Sequence, residues 1–188
     1  MQTKSPTCLS IFAVAAALAA EPMCASQADF LDLTPLVYAI ADVESGGDPN
    51  AVGDAGERGL MQIMPETWRD TTRRVFGESV DFDRAFEPML NREIGRAYLE
   101  YVAEQLRRRG HASDDRFTGL VVAAYHRGLK YVASRKYSLA SMSDETQAYV
   151  KRVVNTRGIY AEHSRTIFAR AVGRLNRAMH ATRQTIGM

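Results

Sequence analysis

Apolar residues recur at helical spacing through most of this chain, and no run alternates apolar with polar positions long enough to specify a strand. Leu33, Leu36, Val37, Ile40, Ala41 and Val43 keep to one side. Thr34 and Pro35 read as an N-cap followed by proline at the first helical position, which predicts a helix from about 34 to Glu44. Gly46, Gly47, Pro49, Gly53, Gly56 and Gly59 then break regular structure, so 45–60 is expected to be a loop. Pro65 opens a second helix carrying Trp68, Val75 and Phe76, and Gly77 ends it.

Pro88 starts what should be the longest helix, with Leu90, Ile94, Tyr98, Tyr101, Val102, Gln105 and Leu106 on one face until Gly110. Gly95 inside it costs about 1 kcal/mol against alanine, which points to a close backbone crossing. Asp114 and Asp115 favour the positive end of a helix that runs through Phe117, Leu120, Val121 and Ala124 to Tyr125, with Gly128 beyond its end. Ser143 and Asp144-Glu145 open another, through Tyr149, Val150, Val153 and Val154. Ile167, Phe168, Ala171, Val172, Leu175 and Met179 form a last amphipathic stripe. The fold expected is all-α, about six or seven helices, with the Gly-rich stretch near 50–63 as the sole candidate for a small β element. No internal repeat, low-complexity linker or second domain is visible.

At 188 residues, 46% apolar and 24% charged, the chain has the composition of an ordinary globule with a real core. Its first residues do not belong to that globule. Lys4 supplies a positive start, Leu9 to Ala20 is apolar and small, and Ala17-Leu18-Ala19 offers a cleavage site, the pattern of a secretory signal peptide. Twelve such residues fall short of the roughly twenty that span a bilayer. The expected organisation is a signal segment 1–26, cleaved between 19 and 26, and one domain over 27–188. Export to the periplasm or cell envelope follows, with no stable membrane span. Cys8 would leave with the signal, and Cys24 alone cannot form an internal disulfide.

The net charge of +2 is unevenly placed. Residues 150–188 hold eight basic residues against the single acid Glu162, a local charge of +7 that leaves 2 − 7 = −5 for the rest. This basic helical extension, from about 160, suits an anionic polymer such as cell wall or a membrane surface, or is simply a solvated face. An exported protein is not expected to meet nucleic acid.

Glu44 closes the first helix beside the Gly-rich turn and the apolar Leu60, Met61, Ile63 and Met64. A carboxyl group packed there has its charged form disfavoured and can serve as a general acid near neutrality. Gln62 is the polar residue of that apolar run, either a partly exposed helix-start residue or a donor and acceptor facing a ligand. No ordered set of His, Cys or carboxylates makes a metal site, and no cofactor is implied.

Val43-Glu44-Ser45-Gly46-Gly47-Asp48-Pro49-Asn50, followed by Gly59-Leu60-Met61-Gln62-Ile63-Met64-Pro65, resembles the opening catalytic motif of the lytic transglycosylases with a lysozyme-like domain. Asn91, Gly95, Tyr98 and Leu99 are similar to that family's N-x-x-x-G-x-x-Y-L helix. Ala124-Tyr125 with Gly128 resembles its A-Y-N-x-G motif, and Glu145-Thr146 with Tyr149-Val150 its E-T-x-x-Y-V motif. Four ordered motifs cover roughly 34 to 155. The resemblance implies cleavage of the β-1,4 bond between N-acetylmuramic acid and N-acetylglucosamine in peptidoglycan, with Glu44 as sole acid and base and a 1,6-anhydro product. By the same resemblance Ser45, Gln62, Met64, Tyr125 and Glu145 contact the glycan or orient Glu44, with the Tyr125 hydroxyl as hydrogen-bond partner of the Glu44 carboxylate.

Two positions depart from the family pattern: His126-Arg127 stands where Asn-Ala is usual, and Gly53 where many members place serine. His126 is read either as a donor to the glycan or as a helix-end residue compensating the dipole. Asp48 and Asp54 are the nearby acids that could make the chain a hydrolytic muramidase, although Asp in such a stretch commonly serves turn geometry. A non-catalytic glycan-binding accessory of a secretion system is the remaining alternative. Peptidoglycan strands, and by family analogy a cell-envelope assembly machinery, are the expected partners of a monomeric protein.

Overall fold

The computed structural model describes residues 32–111 and 116–186. The expected signal segment, its cleavage site and the acidic pair Asp114 and Asp115 lie outside the described residues. Six α-helices are described: α1 Leu33–Ser45, α2 Pro65–Phe76, α3 Pro88–Arg107, α4 Phe117–Arg127, α5 Leu129–Ser134 and α6 Asp144–Ile186. Short 3-10 turns at Phe82–Phe86 and Leu139–Ser141 complete them. The all-α reading holds. In the Gly-rich loop only two isolated antiparallel bridges form, Val52 with Arg58 and Arg58 with Ile63.

Local signals set the helix ends with one correction. Asp32, not Thr34, caps α1: its carboxylate accepts the Thr34 N–H at 3.0 Å, which satisfies one of the unpaired donors of the first turn. Pro65 begins α2 and Gly77 ends it with φ 83, as the sequence predicts. Gly46 ends α1 in the left-handed region at φ 63, where a residue without Cβ turns the chain sharply beneath Glu44.

The core is the meeting of α1, α3, α4 and the first turns of α6. Leu36 and Ile40 of α1, Ile94, Leu99 and Leu106 of α3, Val121 and Val122 of α4 and Val153 of α6 are all fully buried. Trp68 of α2 joins this cluster and donates its indole N–H to the Val80 carbonyl at 2.9 Å. α3 is not the longest helix. α6 runs 43 residues without a break, about 65 Å at the usual rise, and absorbs the stripe expected as a separate helix. Its start is core, where Thr146, Tyr149, Val150 and Val153 are buried, and Tyr160 still packs against that core. Farther on, Ile159, Ile167 and Val172 are exposed, while Phe168, Leu175 and Met179 lie outside the described side chains.

The centre of this arrangement is Met61. Its N–H donates to Oδ1 of the buried Asn91 at 2.9 Å, and its carbonyl accepts the Tyr125 hydroxyl at 2.7 Å. Gly95, one helical turn beyond Asn91, is the seat of the Met61 side chain: a Cβ there would lie 2.2 Å from Sδ. The sequence pointed to a backbone crossing at Gly95, and what crosses is this side chain. Asn91 also donates from Nδ2 to the carbonyls of Ala85, at 2.8 Å, and Arg58, at 3.1 Å.

Asn91→Ala therefore leaves a buried N–H and two carbonyls without their partner, and the expected loss is roughly 3 kcal/mol in urea unfolding. A loss below about 1 kcal/mol, the net worth of one ordinary hydrogen bond, would show that the loop does not depend on it.

Candidate active site

Glu44 stands in the last turn of α1 and lines a cavity of about 400 Å³. The loop contributes Gly53, Asp54, Glu57 and Gln62 to its walls, and the start of α2 adds Met64 and Thr67. Tyr98 of α3 and Tyr125, His126 and Arg127 of α4 close the other side. A helix end, a Gly-rich turn and two facing helices thus make a concave, mixed polar and apolar site.

The carboxyl of Glu44 is held by Tyr149, whose hydroxyl donates to Oε1 at 2.6 Å from α6. This corrects the expected partner. Tyr125 donates its hydroxyl to Met61 instead, so it fixes the loop, and the Glu44 charge acts on it through space. Burial pushes both phenols above their ordinary value, so each remains a neutral donor. The imidazole of His126 lies on the Tyr149 ring, centroids 4.2 Å apart and 14° from parallel. Burial, then the Arg127 charge, pushes His126 below its ordinary value. It is therefore a neutral aromatic plate against Tyr149, not the cation that would compensate the helix dipole.

Opposing influences set the charge state of Glu44. Burial raises its carboxyl above the ordinary value of 4.5 and the Glu57 charge acts in the same direction, whereas the Tyr149 hydrogen bond and Arg152 pull it down. A carboxyl in this position holds its proton to higher pH than a free glutamate, and a built-in donor receives it when the proton has gone.

The other residues marked in the sequence divide between the cavity and its frame. Met64 and Gln62 line the cavity. Gln62 takes the left-handed backbone at φ 45, and its Nε2 donates to the carbonyls of Gly59 at 2.9 Å and Ala51 at 3.1 Å, which brace that turn. Ser45 belongs to the frame: its hydroxyl lies 2.9 Å from the Leu60 carbonyl and 3.0 Å from that of Ala41, tying the end of α1 to the loop. Glu145 is exposed and faces Arg127 at 3.9 Å. Asp48 serves its turn by accepting the Asn50 N–H at 2.9 Å, whereas Asp54 lines the cavity.

Two residues escaped the sequence reading. Tyr149 was visible only as one position of a motif and as an apolar-face residue. Glu57 carried no local signal, because nothing in the spacing of loop residues tells which carboxylate turns inward. Among the described residues no cluster of His, Cys, Asp and Glu could hold a metal ion.

A family model described as the transglycosylase SLT domain matches residues 25–148. Among solved structures, the lytic transglycosylase Slt of Pseudomonas aeruginosa, in the form of an inactive glutamate-to-glutamine mutant, is 27% identical with a TM-score of 0.60, over 70% of this chain and 22% of its own. The 70 kDa soluble lytic transglycosylase of Escherichia coli is 26% identical with a TM-score of 0.57, over 69% and 22%. A 70 kDa soluble lytic transglycosylase in complex with bulgecin A is 27% identical with a TM-score of 0.56. The chain spans about a fifth of the length of these proteins, 21–22%.

The raised carboxyl has a consequence for stability. A group raised on folding contributes fully below its unfolded value, and that contribution is lost as pH rises through the folded one. Glu44→Gln keeps an acceptor for Tyr149 and removes the charge, so it is expected to be more stable than the wild type near neutral pH, by on the order of 1 kcal/mol. The gap should close below the ordinary glutamate value of 4.5, and thermal unfolding across this range measures it. A variant less stable than wild type at neutral pH would contradict the assigned ionisation.

Proposed function

The chain belongs to the transglycosylase SLT domain family, and from that premise we propose that it is a peptidoglycan lytic transglycosylase in which Glu44 is the single general acid and base. The observation that carries this reading is a buried carboxyl, raised above its ordinary value, at the wall of a cleft and held by a neutral tyrosine. That a similar enzyme is inactive as a glutamate-to-glutamine mutant supports a mechanism that needs a glutamate.

In the first half of the reaction the Glu44 carboxyl gives its proton to the glycosidic oxygen between N-acetylmuramic acid and N-acetylglucosamine, and the C1–O bond breaks. The carbonyl oxygen of the substrate's own N-acetyl group stabilises the positive charge that develops at C1. In the second half the Glu44 carboxylate, now an acceptor for Tyr149, takes the proton of the 6-hydroxyl, whose oxygen closes on C1 as the 1,6-anhydro ring. The proton balance closes on one residue, and no water is consumed. Gln62 and Met64 at the cavity wall are the glycan contacts we assign, with Tyr125 holding the loop behind them.

A hydrolytic muramidase is the second reading, and it is favoured by Asp54 and Glu57 sharing the cavity with Glu44. Glycosidases that use water employ two carboxylates, one to protonate the leaving oxygen and one as nucleophile or base. The catalytic domain is assigned to 27–188, following a signal segment, and the protein to the cell envelope. The charge of α6 beyond the core suits attachment to the anionic wall, with Arg165, Arg170 and Arg174 on its described part.

Mass spectrometry of digested peptidoglycan is expected to show muropeptides lighter by one water than hydrolytic products. Reducing ends alone would replace this reading with the muramidase. Glu44→Gln should lower turnover by at least about a hundredfold, the usual contribution of a general acid, and retained activity would sink both enzymatic readings. Removal of residues 163–188 is expected to weaken binding to isolated sacculi, most at low salt, and an unchanged pull-down would refute the role given to the basic segment.

A further inference from the structure

The cleft contains a carboxylate that the proposed reaction leaves unused. Glu57 lines the cavity with Glu44, and its Oε2 is fixed by accepting the Ala55 N–H at 3.0 Å. The space it takes exists because residue 53 is glycine. A Cβ on Gly53 would lie 2.3 Å from Oε2 and 2.9 Å from Cδ of Glu57, and 2.8 Å from Oε1 of Gln62. The first of these is far inside contact distance, so any side chain at 53 must displace the Glu57 carboxylate or the turn that carries it. Gly53 and Glu57 are thus a matched pair: the missing side chain makes the seat and the carboxylate fills it.

The groups arranged around Glu44 are Tyr149 and Arg152 from α6, Tyr125, His126 and Arg127 from α4, Tyr98 from α3, and Asp54 with Glu57 from the loop. Burial holds the three phenols and the imidazole neutral, and Arg127 faces Glu145. The charges left to act are Arg152, which is exposed, and the two loop carboxylates. We propose that Glu57 is a positioning residue of this cleft, acting through Glu44: seated in the space opened by Gly53, it confronts the Glu44 carboxyl with a negative charge and favours its proton-carrying form. The proposal rests on the assignment of Glu44 as the acid. Glu57 shares the cavity with Glu44, and its charge acts on the Glu44 carboxyl upward, as like charges require.

The sign of the effect is fixed. The acid step needs protonated Glu44, so activity falls as pH rises through its pKa. Removing the neighbouring charge lowers that pKa and moves the fall to lower pH. Glu57→Gln keeps an oxygen to accept the Ala55 N–H and removes the charge, while Gly53→Ser keeps the charge and displaces it.

The experiment is a carbon-13 NMR titration of the Glu44 carboxyl in the full chain, which needs neither substrate nor turnover. The midpoint is expected to fall in Glu57→Gln and in Gly53→Ser, and the double variant is expected to match Glu57→Gln alone. A midpoint unchanged in Glu57→Gln overturns the proposal, and so does a Gly53→Ser shift that persists undiminished on top of Glu57→Gln. As a second readout, the alkaline limb of kcat/KM on peptidoglycan should move to lower pH in Glu57→Gln. A rate lowered equally at every pH, with the limb in place, would assign Glu57 a structural role and overturn the proposal. A wild type that makes no anhydro product but shows the titration shift would sink the transglycosylase reading and leave the pairing of Glu57 with Glu44 standing.

Discussion

The site depends on one backbone position. Met61 is gripped at its N–H by Asn91 of α3, at its carbonyl by Tyr125 of α4, and by its side chain in the notch that Gly95 leaves in α3. Each polar grip is buried or nearly so, where leaving a group unpaired costs about 1–3 kcal/mol. Together they fix the loop against two core helices, and the next residue, Gln62, is thereby held in a left-handed conformation that a glutamine does not adopt unaided. Ser45 ties the same loop back to α1 through Leu60. The cleft wall is tied to the helices behind it by these contacts, although it contains almost no regular structure of its own.

Against that wall Glu44 is poised between two charge states. Burial and Glu57 favour the proton, while Tyr149 and Arg152 favour the anion. The acid and base roles proposed for Glu44 would need both influences, since an extreme of either kind would stop one half of the cycle. Tyr149 is suited to its part because it is buried, neutral and clamped by the parallel ring of His126. The departure from the usual family residue at 126 therefore falls on the support of the carboxyl's hydrogen-bond partner. Gly53, the other departure, falls on the seat of Glu57. Both unusual positions bear on the ionisation of Glu44, one through its donor and one through its field.

Much of this was legible in the chain. The spacing of Leu36, Val37 and Ile40, the proline at 65 and the glycines at 46 and 77 define local choices within a few residues, and the helices follow them. The order of the motifs led to the family, and the family model confirms it. The errors also have local explanations. Asp32 replaced Thr34 as cap because both residue types can do it and only the backbone shows which stands outside the helix. The stripe through Ile167 and Val172 continues α6 instead of forming a separate helix and is exposed there, because periodicity records a face, not where a helix ends or what covers it.

By itself the sequence determined an all-helical chain with a glutamate at the end of its first helix, a sharp turn beneath it and the residues able to surround it. These are consequences of periodicity, capping and chirality, which act between neighbours. The tertiary structure alone decided that Tyr149, 105 positions away, and not Tyr125 meets Glu44, and that Glu57 turns into the cavity while Asp48 turns out of it. The reason is physical. A hydrogen bond across helices and the field at a buried carboxyl depend on which surfaces pack together and how much water they exclude, and no local pattern of residues carries that information.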